Sequence, residues 1–271
     1  WQSGRGSGFS RRACAASKGP RGAGFLREGA DMTYCVGLLL NAGIVCLSDT
    51  RTNAGLDNIS TYRKMFTFEG PGERVIVIMT AGSLSVSQTA LAQLREAIDD
   101  PEASAETSIM LAPTMLKVAE IVGNALARVR LEIDHKMSAG QGASASMIVA
   151  GQRRGGAMRL FLIYPEGNFI EATEDTPFLQ IGEHKYGKPI LDRVVRPDTG
   201  LADAQKAVLL SMDSTLRSNL SVGMPLDLCV IEAEACRVTQ RRRIEAGDPQ
   251  FRAMSEAWST ALRDGFTRIR I

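Results

Sequence analysis

Met32-Thr33-Tyr34-Cys35-Val36-Gly37-Leu38-Leu39-Leu40 opens an apolar strand and places a threonine directly after a methionine able to serve as a translation start. Removal of Met32 would make Thr33 the first residue of the mature chain. Its hydroxyl and its own α-amine would then share one residue. A free α-amine has an unperturbed pKa of about 7.7–8.0, close to working pH, so such a residue is a nucleophile with a built-in base. No other pair of residues in the chain offers that chemistry so directly. Taken alone, however, a threonine at a strand start is simply a good β-former.

Upstream of this stretch, residues 1–31 are rich in Gly, Arg, Ser and Ala, begin with Trp rather than Met, and show almost no apolar periodicity. Such a tail cannot bury enough surface to offset its ordering entropy, and it reads as disordered. Upstream sequence from a misplaced start, a propeptide and an Arg-rich targeting peptide all fit it. A self-cleaving propeptide more usually ends in small residues, Gly above all, than in Asp31-Met32. Six basic residues against two acidic ones give the tail +4; the whole chain carries +2, so the remainder is mildly acidic at −2. Nothing in that balance calls for nucleic acid or an anionic membrane.

The chain has 271 residues with 44% hydrophobic composition, enough for one sizeable core. Its apolar runs all fall short of the roughly 18–20 residues that span a bilayer, and no hydrophobic signal core is present. Five cysteines without a CxxC spacing, several of them in apolar runs, read as buried thiols of a reducing cytoplasm and not as a zinc site.

Downstream, Thr33–Leu40 and Ile44–Ser48 flank Asn41-Ala42-Gly43, a hairpin signal, and both are apolar on both faces, as in a sheet covered on each side. Residues 48–60 are polar and turn-rich. Tyr62–Phe68 and Arg74–Ala81 read as a second strand pair around Glu69-Gly70-Pro71-Gly72. After Gly82 the period changes to 3.6: one stripe runs from Leu84 to Ile98, another from Met115 through Val129 to about Met137. Strands return at 145–150, 158–164 and 169–172, followed by helices around 184–195 and 202–220 and a strand at 226–232. Strands, two helices, strands, two helices and a strand predict an α+β fold, a four-layer α/β/β/α sandwich over 33–240. A C-terminal helical extension, 241–271, carries Phe251, Met254, Trp258 and Leu262 toward the body or a neighbour.

Three further features fit an N-terminal-nucleophile hydrolase. Asp49 ends the second strand inside Ser48-Asp49-Thr50-Arg51, and Lys64 opens a strand after the loop. Ala81-Gly82-Ser83 lies at a strand-to-helix junction, where a backbone N–H can face an oxyanion. Asp49 alone reads as a turn residue and Lys64 alone as a solvated charge; their value lies in the constellation.

That constellation, Thr33…Ser48-Asp49-Thr50-Arg51-Thr52-Asn53-Ala54-Gly55…Arg63-Lys64…Thr80-Ala81-Gly82-Ser83, resembles the catalytic β-subunits of proteasomes. The wording MTYCVGLLL, LSDTRTNAG, STYRKM, IGEHKYGKPILDR and RSNLSVGMPLDL is similar to the bacterial proteasome-related family called Anbu, or ancestral β-subunit, from Met32 to about Glu234. The resemblance implies Thr33 as nucleophile with its α-amine as general base. Lys64 would make the hydroxyl more acidic, Asp49 would orient and neutralise Lys64, and Arg51 would support the same cluster. Gly82 would donate to the oxyanion. Asn53 and Gly55 would flank the strand to which an extended peptide adds, and Thr80 and Leu84 would shape the first specificity pocket. It also implies a peptide or protein substrate, a homo-oligomeric ring or ring-like assembly, and no metal or organic cofactor. A partner ATPase is supported by no feature of the sequence.

Two departures qualify this. Proteasome subunits have Ile-Gly-Ser-Gly, with a serine that helps the α-amine, where this chain has Ile181-Gly182-Glu183-His184. They have Asp-x-x-Ser before a Gly-Gly where it has Ser218-Asn219-Leu220-Ser221-Val222-Gly223, so Ser221 is kept and the aspartate is not; Asp213 lies upstream. A weakly active or inactive ring or scaffold subunit and a non-peptidase amidase are therefore the alternatives. His135 and His184 are the only histidines, with no carboxylate or cysteine cluster to make a metal site. Arg241-Arg242-Arg243 reads as a solvated turn. A Ser–His–Asp hydrolase fits poorly, because no GxSxG is present.

Overall fold

In the computed structural model, which describes residues 33–53, 59–136 and 143–270, β1 (Tyr34–Leu40) and β2 (Gly43–Ser48) form the expected hairpin. The readings placed on residues 1–31, on Met32 and on Gly55 lie outside the described residues. A two-stranded ribbon comes next, β3 (Arg51–Asn53) with β4 (Ile59–Thr61), and then β5 (Met65–Gly70) and β6 (Arg74–Gly82). Helices α1 (Leu84–Asp99) and α2 (Met115–Asp134) succeed them. Thr114 starts α2 by accepting the Lys117 N–H at 3.1 Å, an ordinary N-cap. The chain continues through β7 (Ala145–Arg153), β8 (Arg159–Ile163), β9 (Phe169–Glu171) and β10 (Phe178–Gly182). It ends with α3 (Lys188–Val194), α4 (Leu201–Ser218), β11 (Leu226–Glu232), β12 (Gln240–Ile244) and α5 (Pro249–Arg268).

The strands form two five-stranded sheets, in the orders β10-β1-β2-β11-β12 and β5-β6-β7-β8-β9, with every pair antiparallel. Side chains alternate along each central strand, and this sorts the apolar residues into three cores. On β1, Tyr34, Val36 and Leu38 face Leu191, Val208 and Met212 of α3 and α4. On β6, Ile76 and Ile78 face Leu91 of α1 and Leu126 of α2. The complementary faces meet each other, Cys35 and Cys46 against Val77, Met79, Ile148 and Leu160. Helix pair, sheet, sheet, helix pair is the expected four-layer α/β/β/α sandwich. It explains why β1 and β2 are apolar on both faces: each is covered by helices on one side and by a sheet on the other.

Four strands were not legible: the ribbon β3–β4 falls mostly within residues 48–60, read as a polar, turn-rich loop, and β10 and β12 were also not expected. β10 is a five-residue run after Pro177 with no clear alternation. Arg241–Arg243, read as a solvated turn, are the middle of β12, an edge strand on which charge discourages further pairing. These arginines are also paired: Arg241 with Thr67 Oγ1 at 2.6 Å, Arg242 with Asp248 at 2.8 Å, and Arg243 with Asp227 at 3.0 Å. β12 thereby joins the first sheet, and the helical part of the C-terminal region is α5 alone. α2 ends at Asp134, and the helix expected over 184–195 opens with a separate 3-10 turn, His184–Tyr186. The four described cysteines, Cys35, Cys46, Cys229 and Cys236, are buried free thiols.

Candidate active site

Thr33 precedes β1 and is buried, 5% exposed. The start of β1 is tied to the end of β2 through Asp49: the Asp49 N–H donates to the Tyr34 carbonyl at 3.2 Å, and the Tyr34 N–H donates to Asp49 Oδ1 at 3.1 Å. The aspartate is fully buried. Its Oδ1 also accepts from Lys64 Nζ at 2.8 Å, and its Oδ2 accepts the Gly223 N–H at 3.2 Å. Lys64 Nζ donates in addition to the Arg51 carbonyl at 2.6 Å, and the Lys64 carbonyl accepts the Thr80 N–H of β6 at 3.0 Å. One carboxylate thus gathers the start of β1, the end of β2, the segment entering β5, and the turn between α4 and β11.

The electrostatics stem from burial. Loss of water pushes the Asp49 carboxyl above its ordinary value, while the Lys64 ammonium and the two backbone N–H donors pull it back. Lys64 is only 6% exposed at its side chain, so neither partner is left to solvent. The adjacent Cys35 thiol is pushed well up by burial and donates to the Thr80 carbonyl at 3.7 Å, which makes it a packing residue and not a competing nucleophile.

The other expected residues fall around this pair in different ways. Arg51 contributes its carbonyl to Lys64, but its guanidinium turns to the Leu220 carbonyl at 2.8 Å, outside the Lys64–Asp49 contact. Ser221 lies in the same α4–β11 turn, where its N–H donates to Asn219 Oδ1 at 2.8 Å. That turn reaches the site through Leu220 and Gly223. Gly82 ends β6 with φ +93°, and a Cβ there would fall 2.5 Å from the Ser144 carbonyl oxygen. The position therefore demands glycine. Ser83 caps α1 immediately afterwards, which is the strand-to-helix junction expected for it. Thr80 is buried beside Lys64, Leu84 opens α1, and Asn53 ends β3.

Asp213, the nearest carboxylate to the missing family aspartate, is committed elsewhere. Its Oδ1 accepts from Ser255 Oγ of α5 at 2.7 Å and its Oδ2 from Arg217 at 3.1 Å. It docks α5 onto α4. Asp213→Ala is expected to destabilise the fold by about 1–3 kcal/mol, the cost of losing hydrogen bonds to a buried charged group. Urea unfolding measures this, and turnover per folded molecule should be unchanged.

Several contributors were missed. The Tyr34 and Gly223 N–H groups act through the backbone and leave no side-chain signal. Gly182 has φ +79°, and a Cβ built there would lie 1.9 Å from the Thr33 carbonyl oxygen. The sequence holds that signal only as a glycine across from the nucleophile strand. Gly182→Ala is expected to cost about 1–3 kcal/mol in backbone strain, read as a lower denaturation midpoint, and to displace Thr33 as the chain relieves the contact. Beside it, the Glu183 N–H donates to the Thr33 carbonyl at 2.7 Å. Among the described residues no group of three or more His, Cys, Asp and Glu could hold a metal ion.

Residues 32–231 match the protein family described as Proteasome subunit. Among solved structures, the chain is similar to the Anbu (Gly-1) mutant from Hyphomicrobium sp. strain MC1, at 49% identity, covering 88% of this chain and 98% of that one with a TM-score of 0.83. It is similar to Anbu from Yersinia bercovieri at 42% identity, covering 88% and 99%, TM-score 0.82. A third match, described as the helical assembly of the Anbu complex from Pseudomonas aeruginosa, is 44% identical, covering 88% and 98%, TM-score 0.82. Among curated proteins none matches.

Proposed function

This chain belongs to the Anbu family of proteasome-type subunits, and from that membership we propose that it is a threonine-type peptidase or amide hydrolase with Thr33 as its nucleophile. The observation that carries the reading is the buried Lys64–Asp49 pair held against the start of β1 by the Tyr34 N–H. A strand start needs no buried ion pair for its stability, since such a pair barely offsets its own desolvation. A positive charge fixed near a nucleophilic hydroxyl stabilises the alkoxide that develops on it.

The reaction runs through Thr33 alone as far as proton transfer is concerned. Once Thr33 is the first residue, its α-amine takes the hydroxyl proton and Oγ attacks the substrate carbonyl. The oxyanion forms facing the Gly82 N–H, and the protonated amine hands its proton to the leaving nitrogen. The resulting ester is opened by water activated by the same amine. Lys64 lowers the cost of the developing alkoxide, and Asp49 keeps the ammonium aimed and compensated. Arg51 and Ser221 support this cluster through the Arg51 carbonyl and the α4–β11 turn. Asn53, together with Gly55 outside the described residues, is assigned to binding of an extended peptide, and Thr80 with Leu84 to the first specificity pocket. The chemistry needs no cofactor, and the free buried thiols fit a cytoplasmic setting.

Self-assembly into a ring or ring-like complex belongs to the same reading. It is supported by the relative described as a helical assembly and by the exposed Phe266 and Ile269 at the far end of α5. A second reading, a scaffold subunit with little or no turnover, is favoured by Glu183 in the place of the family's serine and by Asp213 being tied to α5. A peptide electrophile that bridges a hydroxyl and an amine on one residue separates the two. An adduct on the Thr33-initiated peptide, found by mass spectrometry, is expected; an assembled protein that takes up none would favour the scaffold.

A further inference from the structure

We infer that Glu183 is a positioning residue of this site, its carboxylate pairing with the ammonium form of the Thr33 α-amine. The inference rests on the reading of Thr33 as an N-terminal nucleophile. Three observations carry it. β1 and β10 pair Tyr34 with Gly182, and the bond from the Glu183 N–H to the Thr33 carbonyl, at 2.7 Å, continues that pairing to Thr33 itself. The Glu183 side chain is 14% exposed, and its Oε2 is buried without a hydrogen bond, the only carboxylate oxygen so placed among the described residues. The same Oε2 has one ion-pair partner among the described residues, Lys185 Nζ at 3.4 Å, which is 65% exposed and so gives a screened contact.

The remaining charges near Thr33 leave the role open to Glu183. From the end of β2 and the entry to β5, Asp49 and Lys64 neutralise each other, and both Asp49 oxygens are already occupied. Arg51 is turned to Leu220. On β1, Tyr34 and Cys35 are held neutral by burial. On its own segment, Glu183 is followed by His184, whose Nδ1 meets the Gly182 carbonyl at 3.0 Å, and by Lys185. A buried carboxylate oxygen served only by an exposed lysine outside hydrogen-bond geometry is costly, and an ammonium on Thr33 would supply three N–H donors.

The consequence differs from that of the serine it replaces. A hydroxyl orients the amine without changing its charge preference, whereas a carboxylate stabilises the ammonium and so raises the pH at which the amine becomes a base. The free-base fraction of the Thr33 amine, already a minority at neutral pH for an unperturbed pKa of about 7.7–8.0, falls further, and the chain works as a slow hydrolase whose rate climbs with alkalinity.

Reductive methylation of the purified protein with labelled formaldehyde gives the Thr33 amine an NMR signal whose pH titration can be read directly. Glu183→Gln is expected to lower its midpoint by about one unit, the size of a nearby opposite charge. Glu183→Asp, which keeps the charge, should stay near the wild-type value. The acid limb of the kcat/KM profile should move down with the midpoint. Coincident midpoints in wild type and Glu183→Gln would overturn the inference, as would a wild-type chain with no free amine on Thr33. A lowered midpoint with turnover unaffected by Thr33→Ala would sustain the pairing and remove the hydrolase reading. Turnover that depends on Thr33 with coincident midpoints would remove the pairing alone.

Discussion

Thr33→Ala lowers turnover of a broad peptide library by about 10⁴-fold or more while leaving the assembly intact. That is the expected result, because hydroxyl and amine act as a single unit and losing the nucleophile removes the covalent route altogether. The side chain is buried at the entry to β1, and the alanine methyl fits the same space. The fold and the oligomer measured by native mass spectrometry should therefore match wild type. Equal turnover by wild type and Thr33→Ala would show that catalysis, if any, lies elsewhere.

The second large effect is at the ion pair. Asp49→Ala deprives the buried Lys64 ammonium of its carboxylate and strips acceptors from the Tyr34 and Gly223 N–H groups. Breaking a buried pair from one side costs about 3–5 kcal/mol, so this variant is expected to unfold at a markedly lower denaturant concentration. Lys64→Met keeps much of the length and apolar stem of the side chain but removes the charge. Its kcat/KM should fall by about 10²–10³-fold, the range of a lost preorganised electrostatic group. A double-mutant cycle over Asp49→Asn and Lys64→Met should give a coupling energy well above zero, since the two share one hydrogen bond at 2.8 Å. Additive effects would mean that the two residues act separately, and unchanged rates in Lys64→Met would take the lysine out of the mechanism.

The features that could be read in advance were those written in period and in side-chain chemistry. The two-faced apolarity of β1 and β2, the switch to a 3.6 period after Gly82 and the return to strands at Ala145 fix the four layers. Thr33, Asp49, Lys64 and Gly82 are legible because each stands at the end of such an element. The parts that stayed hidden have two physical causes. β3, β4, β10 and β12 are short, the first two being three mostly polar residues each, and β12 reads Gln-Arg-Arg-Arg-Ile, whose charges are paired with Glu69, Asp227 and Asp248. The Tyr34 and Gly223 contacts to Asp49 are made by backbone N–H groups, which every residue but proline possesses. Likewise, nothing local distinguishes Asp213 as a docking residue for α5; only the position of Ser255 in space does so.

The central claim is that Thr33 begins the working chain. The most direct test is the intact mass of the protein purified from its own host. A mass that starts at Thr33 is predicted, with the α-amine free to act beside Lys64 and Glu183. A mass that retains Met32 or the upstream segment would leave that amine locked in a peptide bond and contradict the account.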